Sequence, residues 1–399
     1  VNAMILLSIN IFGRAILRAI RIVAKRITRV ADWARETAQA YANSALESFL
    51  AGNLNRAEVY YREATAWDPL DANLHNDLAQ VYYEQGKADE AATQFHEALE
   101  YDYQNATALK GLGVVLQEGG QPLDAMYLYL KYLELRPEDA DVCLNLGVVF
   151  QEMGDYQKAV DYYKRAEKED PNDALAPKNR ALALLALARF EEARDALLQA
   201  RKIDPEDGEI DRLLGSTRDA LGDSAGALEC YESAIKKDPQ DPDSHLEFAY
   251  IAARLERAGD AAEHAKTALD LFNAKGDTQS AAQALWELGW DNYLLKDWHS
   301  SLQASKDALK LDPNLTPVHF NLGLVLLQLG DVDEARKEYE EGITRLAQVT
   351  DLKEHAIDDL RAALERNARL NGAAEILAML EEKYAALSRD LAKSAQPVS

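Results

Sequence analysis

The chain has 399 residues, 48% of them hydrophobic and 28% charged, with 68 acidic against 44 basic side chains and a net charge of −24. That balance fits a folded chain rather than a disordered one, and the length exceeds what one compact core usually holds, so several domains or a repeat array are expected. The composition also excludes several classes: an acidic body repels nucleic-acid phosphates, two cysteines (Cys143 and Cys230) cannot build a disulfide framework or a four-cysteine zinc site, and no uncharged apolar run of 18 residues is present to make an ordinary transmembrane helix.

Residues 1–37 read as a basic amphipathic helix. Ile5, Ile9, Phe12, Ile16, Ile20, Val23, Ile27 and Val30 recur at spacings of three and four, which is one stripe on a helix. Arg14, Arg18, Arg21, Lys25 and Arg29 form a second stripe, and residues 1–31 contain no acid. The charges follow the apolar run from Ala3 to Phe12, which argues against a secretory signal. Such a helix suits an anionic membrane surface through residues 4–31, placing a cytoplasmic protein peripherally at the inner face of the membrane. Two other uses stay open: a cap on the segment that follows, or docking with a partner or a second copy.

From residue 38 onward the chain is periodic. Pro69, Pro137, Pro171, Pro205 and Pro239 lie on a 34-residue grid, with Tyr103 and Asn273 at the two other grid points, and one step of 40 leads on to Pro313. Nine units then start at residues 38, 72, 106, 140, 174, 208, 242, 282 and 316. Their eighth position is always small (Gly113, Gly147 and Ala249 among others), as is the twentieth (Ala57, Ala125, Ala193, Ser301). Small residues at these points let two antiparallel helices approach closely. Bulky ones such as Tyr82, Phe95, Tyr129 and Tyr163 fill the gap between hairpins, and Gly52, Gly86, Gly120, Gly154, Gly222 and Gly330 end the first helix.

The run Leu146-Gly147, Phe150, Gly154-Asp155, Ala159, Tyr163, Ala166 and Pro171 resembles the tetratricopeptide repeat pattern, and the likeness extends over residues 38–349. It implies an all-α, right-handed α-solenoid of about nine helical hairpins that binds protein or peptide partners in a concave groove, without a cofactor. Three departures are visible. Pro177 delays the first helix of the fifth repeat. Ala252 and Ala265 stand where bulky residues are usual, which predicts a thinner joint. Six extra residues near Asn273–Ser280 predict a longer turn.

The resemblance also assigns an inner wall. The sixth position carries Asn43, Asn145, Asn179 and Asn321, similar to a broken version of the asparagine ladder in the repeat arm of O-linked N-acetylglucosamine transferases. Mere compatibility with a polar groove is the alternative. In the eighth repeat Trp286, Trp290 and Tyr293 share the inward grid with Tyr250 and Phe320, and Glu247 and Glu287 lie near enough to pair a cation. These aromatics either hold an apolar or arginine-bearing segment or pack against the C-terminal cap or the inserted turn. No three consecutive repeats offer the lysine–asparagine–arginine set of the family's carboxylate clamp; Lys110 and Lys178 stand alone.

Residues 350–399 read as two capping helices and a frayed tail. No phosphate-binding glycine loop, paired-histidine metal helix or nucleophile–base pair occurs, and the seven scattered histidines read as helix-packing groups. The expected function is therefore a non-enzymatic scaffold or adaptor. Its rivals are a self-assembling homo-oligomer whose N-terminal helix enters a neighbour's groove, and an enzyme subunit whose catalytic domain was lost or is supplied in trans.

Overall fold

The computed structural model describes residue 26 and residues 28–346 and 348–394, and every regular element among them is helical. Arg14, Arg18, Arg21, Lys25 and the apolar stripe before residue 28 lie outside the described residues. Two compact units part between Leu187 and Ala188.

In the first unit, helix α1 (residues 28–50) runs through residues 37 and 38 without a break, so the predicted boundary there is not a change of element. It is followed by α2 (Leu54–Trp67), α3 (Ala72–Glu84), α4 (Ala88–Tyr101), α5 (Ala106–Glu118), α6 (Pro122–Leu135), α7 (Ala140–Glu152), α8 (Tyr156–Glu169) and α9 (Leu175–Ala186). Pro177 is the third residue of α9, within the first turn, where its missing N–H costs nothing. The second unit contains α10 (Phe190–Ile203), α11 (Gly208–Ala220), α12 (Ser224–Lys237), α13 (Pro242–Arg254), α14 (Ala258–Lys275), α15 (Thr278–Leu294), α16 (Trp298–Leu311), α17 (Thr316–Leu329) and α18 (Val332–Thr344). Within each unit consecutive helices pack against one another, giving the predicted all-α architecture of repeated helical hairpins.

Local chemistry explains the helix ends. Asp71, Asp139, Asp155, Asp207, Asp223, Asp241 and Asp331 each accept a backbone N–H from the first turn that follows them. Part of the acidity is thus helix capping. In the Asp–Pro dipeptides at Asp170, Asp204, Asp238 and Asp312 the aspartate carboxylate accepts an N–H two residues on, for example at 3.0 Å from Asn172 to Asp170 and 2.9 Å from Gln240 to Asp238. The hairpin turn demands a positive φ. Where repeats lack glycine it is still adopted, at Ala188 (54°), Glu256 (61°) and Lys296 (63°), each at a cost of about 1–2 kcal/mol.

The hairpins lock by ring into notch. Tyr129, Tyr231 and Tyr339 lie over Gly113, Gly215 and Gly323, where an added Cβ would come within 2.5, 2.6 and 2.7 Å of the ring. These tyrosines are buried. His75 and His245 place Nε2 3.0 and 3.3 Å from the carbonyls of Pro69 and Pro239, as packing groups between repeats.

One expectation is corrected. The extra residues near 273–280 do not lengthen a loop. α14 and α15 have 18 and 17 residues, against 14 and 13 in α12 and α13, and the turn between them shrinks to Gly276 and Asp277. Gly276 takes φ 73° and Asp277 caps α15 through Ser280 N–H at 3.0 Å. The added turn of α14 seats Phe272 against Ala281 and Ala284, and burial of this ring favours helix over loop.

After α18, α19 (Val349–Leu352), a π-helical turn (Lys353–Asp358), α20 (Asp359–Arg366) and α21 (Ala373–Ser394) follow. Leu352, Ile357, Leu360, Ile376 and Leu380 join one core with Leu324, Val325 and Tyr339. The π-helical turn therefore lies against α17 rather than in solvent.

Candidate functional site

The second unit holds two adjoining cavities of about 360 and 280 Å³. Tyr250 from α13 and Trp286 and Glu287 from α15 line both. The first is completed by Asp219, Tyr231, Glu247 and Gln283, and the second by Arg254, Trp290, Asn321, Glu354, His355 and Asp359. Tyr250 is 50% exposed and carries Arg254 over its ring at 5.5 Å. Arg254 also binds Asp219 at 2.8 Å. Trp286 meets His355 edge-on at 5.9 Å, and its indole N–H is buried with no acceptor. Trp290 stacks on Tyr293 at 5.4 Å.

The register that builds the repeats also builds this site. The tyrosine at position 24 of one repeat meets the sixth residue of the next: Tyr61 with Asp77, Asn145 donating to Tyr129 at 3.5 Å, and Tyr231 donating to Glu247. For Glu287 the corresponding residue is Ala265, which has no hydroxyl. Glu287 is 6% exposed and its Oε1 has no hydrogen-bond partner. Burial pushes its carboxyl up to about 7. One turn on, Asp291 is fully buried with neither oxygen partnered. Burial, then the neighbouring Glu287, raise it to about 9.

Asp211, almost as covered, behaves in the opposite way. Burial would raise it, but donors on Lys237 and Ser233 outweigh that and hold it below the usual carboxylate range. Glu247 lies between these cases. Burial pushes it up against the pull of Tyr231 and of Arg212, 3.4 Å away.

The remaining sequence-derived candidates separate. Tyr250, Trp286 and Trp290 come together on the cavity walls, and Asn321, although buried, borders the second cavity. Two expectations are corrected. Tyr293 is 5% exposed, packs on Trp298 at 5.2 Å and accepts a hydrogen bond from Gln328 of α17 at 3.2 Å. Phe320 is fully buried, with Gly342 leaving room for its ring and Tyr339 stacked at 6.2 Å. Both side chains are taken up by packing against neighbouring helices and line neither of these two cavities, although Tyr293 borders a separate recess of about 220 Å³ with Trp298 and Gln328.

Asn43, Asn145 and Asn179 belong to the first unit. Asn43 is exposed and accepts from Gln39 at 3.0 Å, Asn145 is half-buried on Tyr129, and Asn179 is half-buried on α9. Of the basic stripe, Arg29 is described, helical and exposed.

Sequence reasoning missed Asp291, and the signal was available. Position ten holds Val81, Val115, Val149, Ile251 and Val325 in five of the other eight repeats and Ala183 and Thr217 in two more; the remaining acid, Glu47, is exposed in the first repeat, so an aspartate inside the array is an anomaly. His355 and Asp359 carry no such signal, because they lie beyond the periodic region.

Among the described residues, no group of three or more His, Cys, Asp and Glu is placed to hold a metal ion. Both cysteines are buried, and burial raises their thiols. No described helix is long and apolar enough to cross a membrane.

Comparison with known proteins places these features in context. Three family models, each described as tetratricopeptide repeat, match the chain: one over residues 45–95, 76–140 and 212–276, one over 140–173 and one over 316–345. Similar solved structures include YrrB, described as a tetratricopeptide repeat protein with an unusual peptide-binding site (23% identity over 46% of this chain and 95% of that one, TM-score 0.43). PilF of Pseudomonas aeruginosa is also similar (24% identity, 56% and 99%, TM-score 0.47), as is MamA from Desulfovibrio magneticus (22%, 42% and 96%, 0.40). No curated protein matches the chain.

Proposed function

Because the chain belongs to the tetratricopeptide repeat family, a scaffold for protein–protein interaction, we propose that it is an adaptor that holds a peptide segment of a partner protein on the α13–α15 face of its second unit. The supporting observation is that Tyr250, Trp286 and Glu287 form a wall common to two cavities. Large aromatic side chains at the centre of a recess are the usual energetic anchors of such contacts. The reading makes no use of catalysis.

The test is selection of binders from a random peptide library with the intact chain. Peptides so selected are expected to bind a Tyr250→Ala/Trp286→Ala variant at least tenfold more weakly, about 1.4 kcal/mol. Thermal unfolding should move little, since Tyr250 is half-exposed and Trp286 only partly buried. Equal affinity for both proteins would remove this face from the function.

We assign the basic N-terminal segment, residues 4–31, to an anionic bilayer surface. Its charge pattern supports this, as does the exposure of Val30 (63%) and Trp33 (56%) at the start of α1. Full-length chain is expected to float with phosphatidylserine-containing vesicles, and chain lacking residues 1–31 to stay at the bottom. Equal flotation rejects the assignment and leaves docking to a second copy as the reading to pursue.

A further inference from the structure

At the junction before α15 the internal register leaves Glu287 without a tyrosine partner. At three repeat junctions, the sixth-position side chain meets a tyrosine from the preceding repeat, at Tyr61 and Asp77, Tyr129 and Asn145, and Tyr231 and Glu247. At the junction before α15 that tyrosine is replaced by Ala265, and three consequences coincide. Glu287 keeps a buried oxygen with no donor, a cavity of about 360 Å³ lies beside it, and the walls of that cavity are aromatic and acidic, with Tyr231, Tyr250, Trp286, Asp219 and Glu247. A buried carboxylate without a donor is costly, and a guest that brings both a donor and a positive charge relieves that cost.

We propose that this cavity is a receptor for one arginine side chain of a partner peptide, its guanidinium binding Glu287 beside the rings of Tyr250 and Trp286. The proposal rests on the peptide-binding reading above and names the residue recognised. Arginine fits better than lysine for three reasons. Its planar guanidinium can offer two parallel N–H groups to one carboxylate. It stacks on aromatic faces and is only weakly hydrated, so entering a partly apolar recess costs it less than it costs an ammonium. It also keeps its charge when buried, whereas a buried lysine sheds a proton.

The molecule already shows ring stacking and carboxylate pairing by its own arginines: Arg254 lies over Tyr250 at 5.5 Å, and one Arg212 N–H reaches Glu247 at 3.4 Å. Both internal arginines are engaged, Arg254 with Asp219 and Arg212 with Glu247, Glu209 and Asp241. Among the described residues Glu287 has no such counter-ion.

Entry of the guanidinium requires Glu287 to give up its proton. The charged and titratable groups around it are Asp291 on α15, Asp219 on α11, Tyr231 on α12, Glu247, Tyr250 and Arg254 on α13, and Glu354, His355 and Asp359 after α18. The carboxylates among them oppose ionisation of Glu287 in the empty cavity and favour the incoming cation. Binding should therefore tighten as pH rises toward 7 and level off above it, by up to about tenfold per pH unit.

The experiment uses the full chain and three blocked tripeptides, glycine–X–glycine with X arginine, lysine or citrulline, followed by tryptophan fluorescence and calorimetry at pH 5.5 to 8. Arginine is expected to bind at least tenfold more tightly than citrulline and more tightly than lysine. The Glu287→Gln variant should lose at least tenfold for arginine and nothing for citrulline. The Ala265→Tyr variant, which restores the internal partner beside Ala249 as Tyr61 stands beside Ala45, should lose arginine binding and unfold at a higher temperature.

Equal binding of citrulline or lysine, or an unchanged arginine affinity in Glu287→Gln, overturns the proposal. If no tripeptide binds but library peptides still depend on Tyr250 and Trp286, the arginine assignment falls and the peptide-binding reading stands. If library peptides are also indifferent to those two residues, both fall.

Discussion

Asp291→Asn is expected to raise the unfolding temperature at pH 8 by roughly 4–8 °C and to have its smallest effect at pH 4. The folded chain holds the Asp291 carboxyl at about 9, through burial and the neighbouring Glu287. An unfolded aspartate titrates near 3.9. Between those values the folded state keeps a proton that the unfolded state has lost, so stability falls as pH rises. The contribution is fully present below about pH 4 and is lost progressively up to about pH 9, with a limiting slope of about 1.4 kcal/mol per unit.

Glu287 acts in the same direction up to about 7. The wild-type decline is therefore steepest between pH 4 and 7, where both groups contribute. Asparagine keeps the shape and removes the titration. Even if relaxation and water entry spare most of the limiting slope, a gain of about 2 kcal/mol at pH 8 remains, which for a unit of this size is the stated shift. Asp291→Val, the residue type of Val115 and Val149 at the same position, should gain at least as much. Calorimetry at pH 4, 6 and 8 measures it. A shift of the same size at all three pH values, or a loss at pH 8, contradicts the burial of an unpaired acid.

The second large effect concerns the first unit. Gly113→Val is expected to cost about 3 kcal/mol, because even its Cβ would stand 2.5 Å from the ring of Tyr129. Tyr129→Ala is expected to cost about 3–5 kcal/mol, because the ring is fully buried and its hydroxyl donates to Gln117 at 3.1 Å. The double variant should cost at least about 1 kcal/mol less than the two singles together, since removing the ring removes the obstacle to valine. Urea unfolding of the four proteins decides it, and strict additivity would mean that the two residues do not share this space.

The fold was legible because its determinants are local and repeated. Ala57, Ala91 and Ala125 mark helix crossings, Gly52, Gly86 and Gly120 mark turns, and the Asp–Pro pairs mark the ends of second helices, so each element is announced many times. The same repetition hid the places where one repeat differs. The six-residue excess could be counted, but its conversion into helix depended on Phe272 finding Ala281 and Ala284, a contact no periodicity encodes.

At the site, Tyr250, Trp286 and Trp290 were visible from register, because position and wall coincide. Tyr293 and Phe320 share that register but are taken up by Gln328, Tyr339 and the notch at Gly342, which belong to neighbouring helices. Asp291 was readable as an acid in a column that is mostly valine or isoleucine. His355 was not, because its place against Trp286 depends on how the chain folds back after the last repeat.

The lengthening of α14 and α15 has a further consequence. Each gains four residues over α12 and α13, and four residues sweep about 400° around a helix axis, close to a whole revolution. Such an insertion is nearly neutral in phase: side chains on both flanks keep their bearings, so this corner of the molecule can grow or shrink in paired turns without rewriting its neighbours. A one-residue insertion in α15 ahead of Trp286 has no such immunity. It would swing the rest of the helix by about 100°, handing Glu287 and Asp291 to different surroundings.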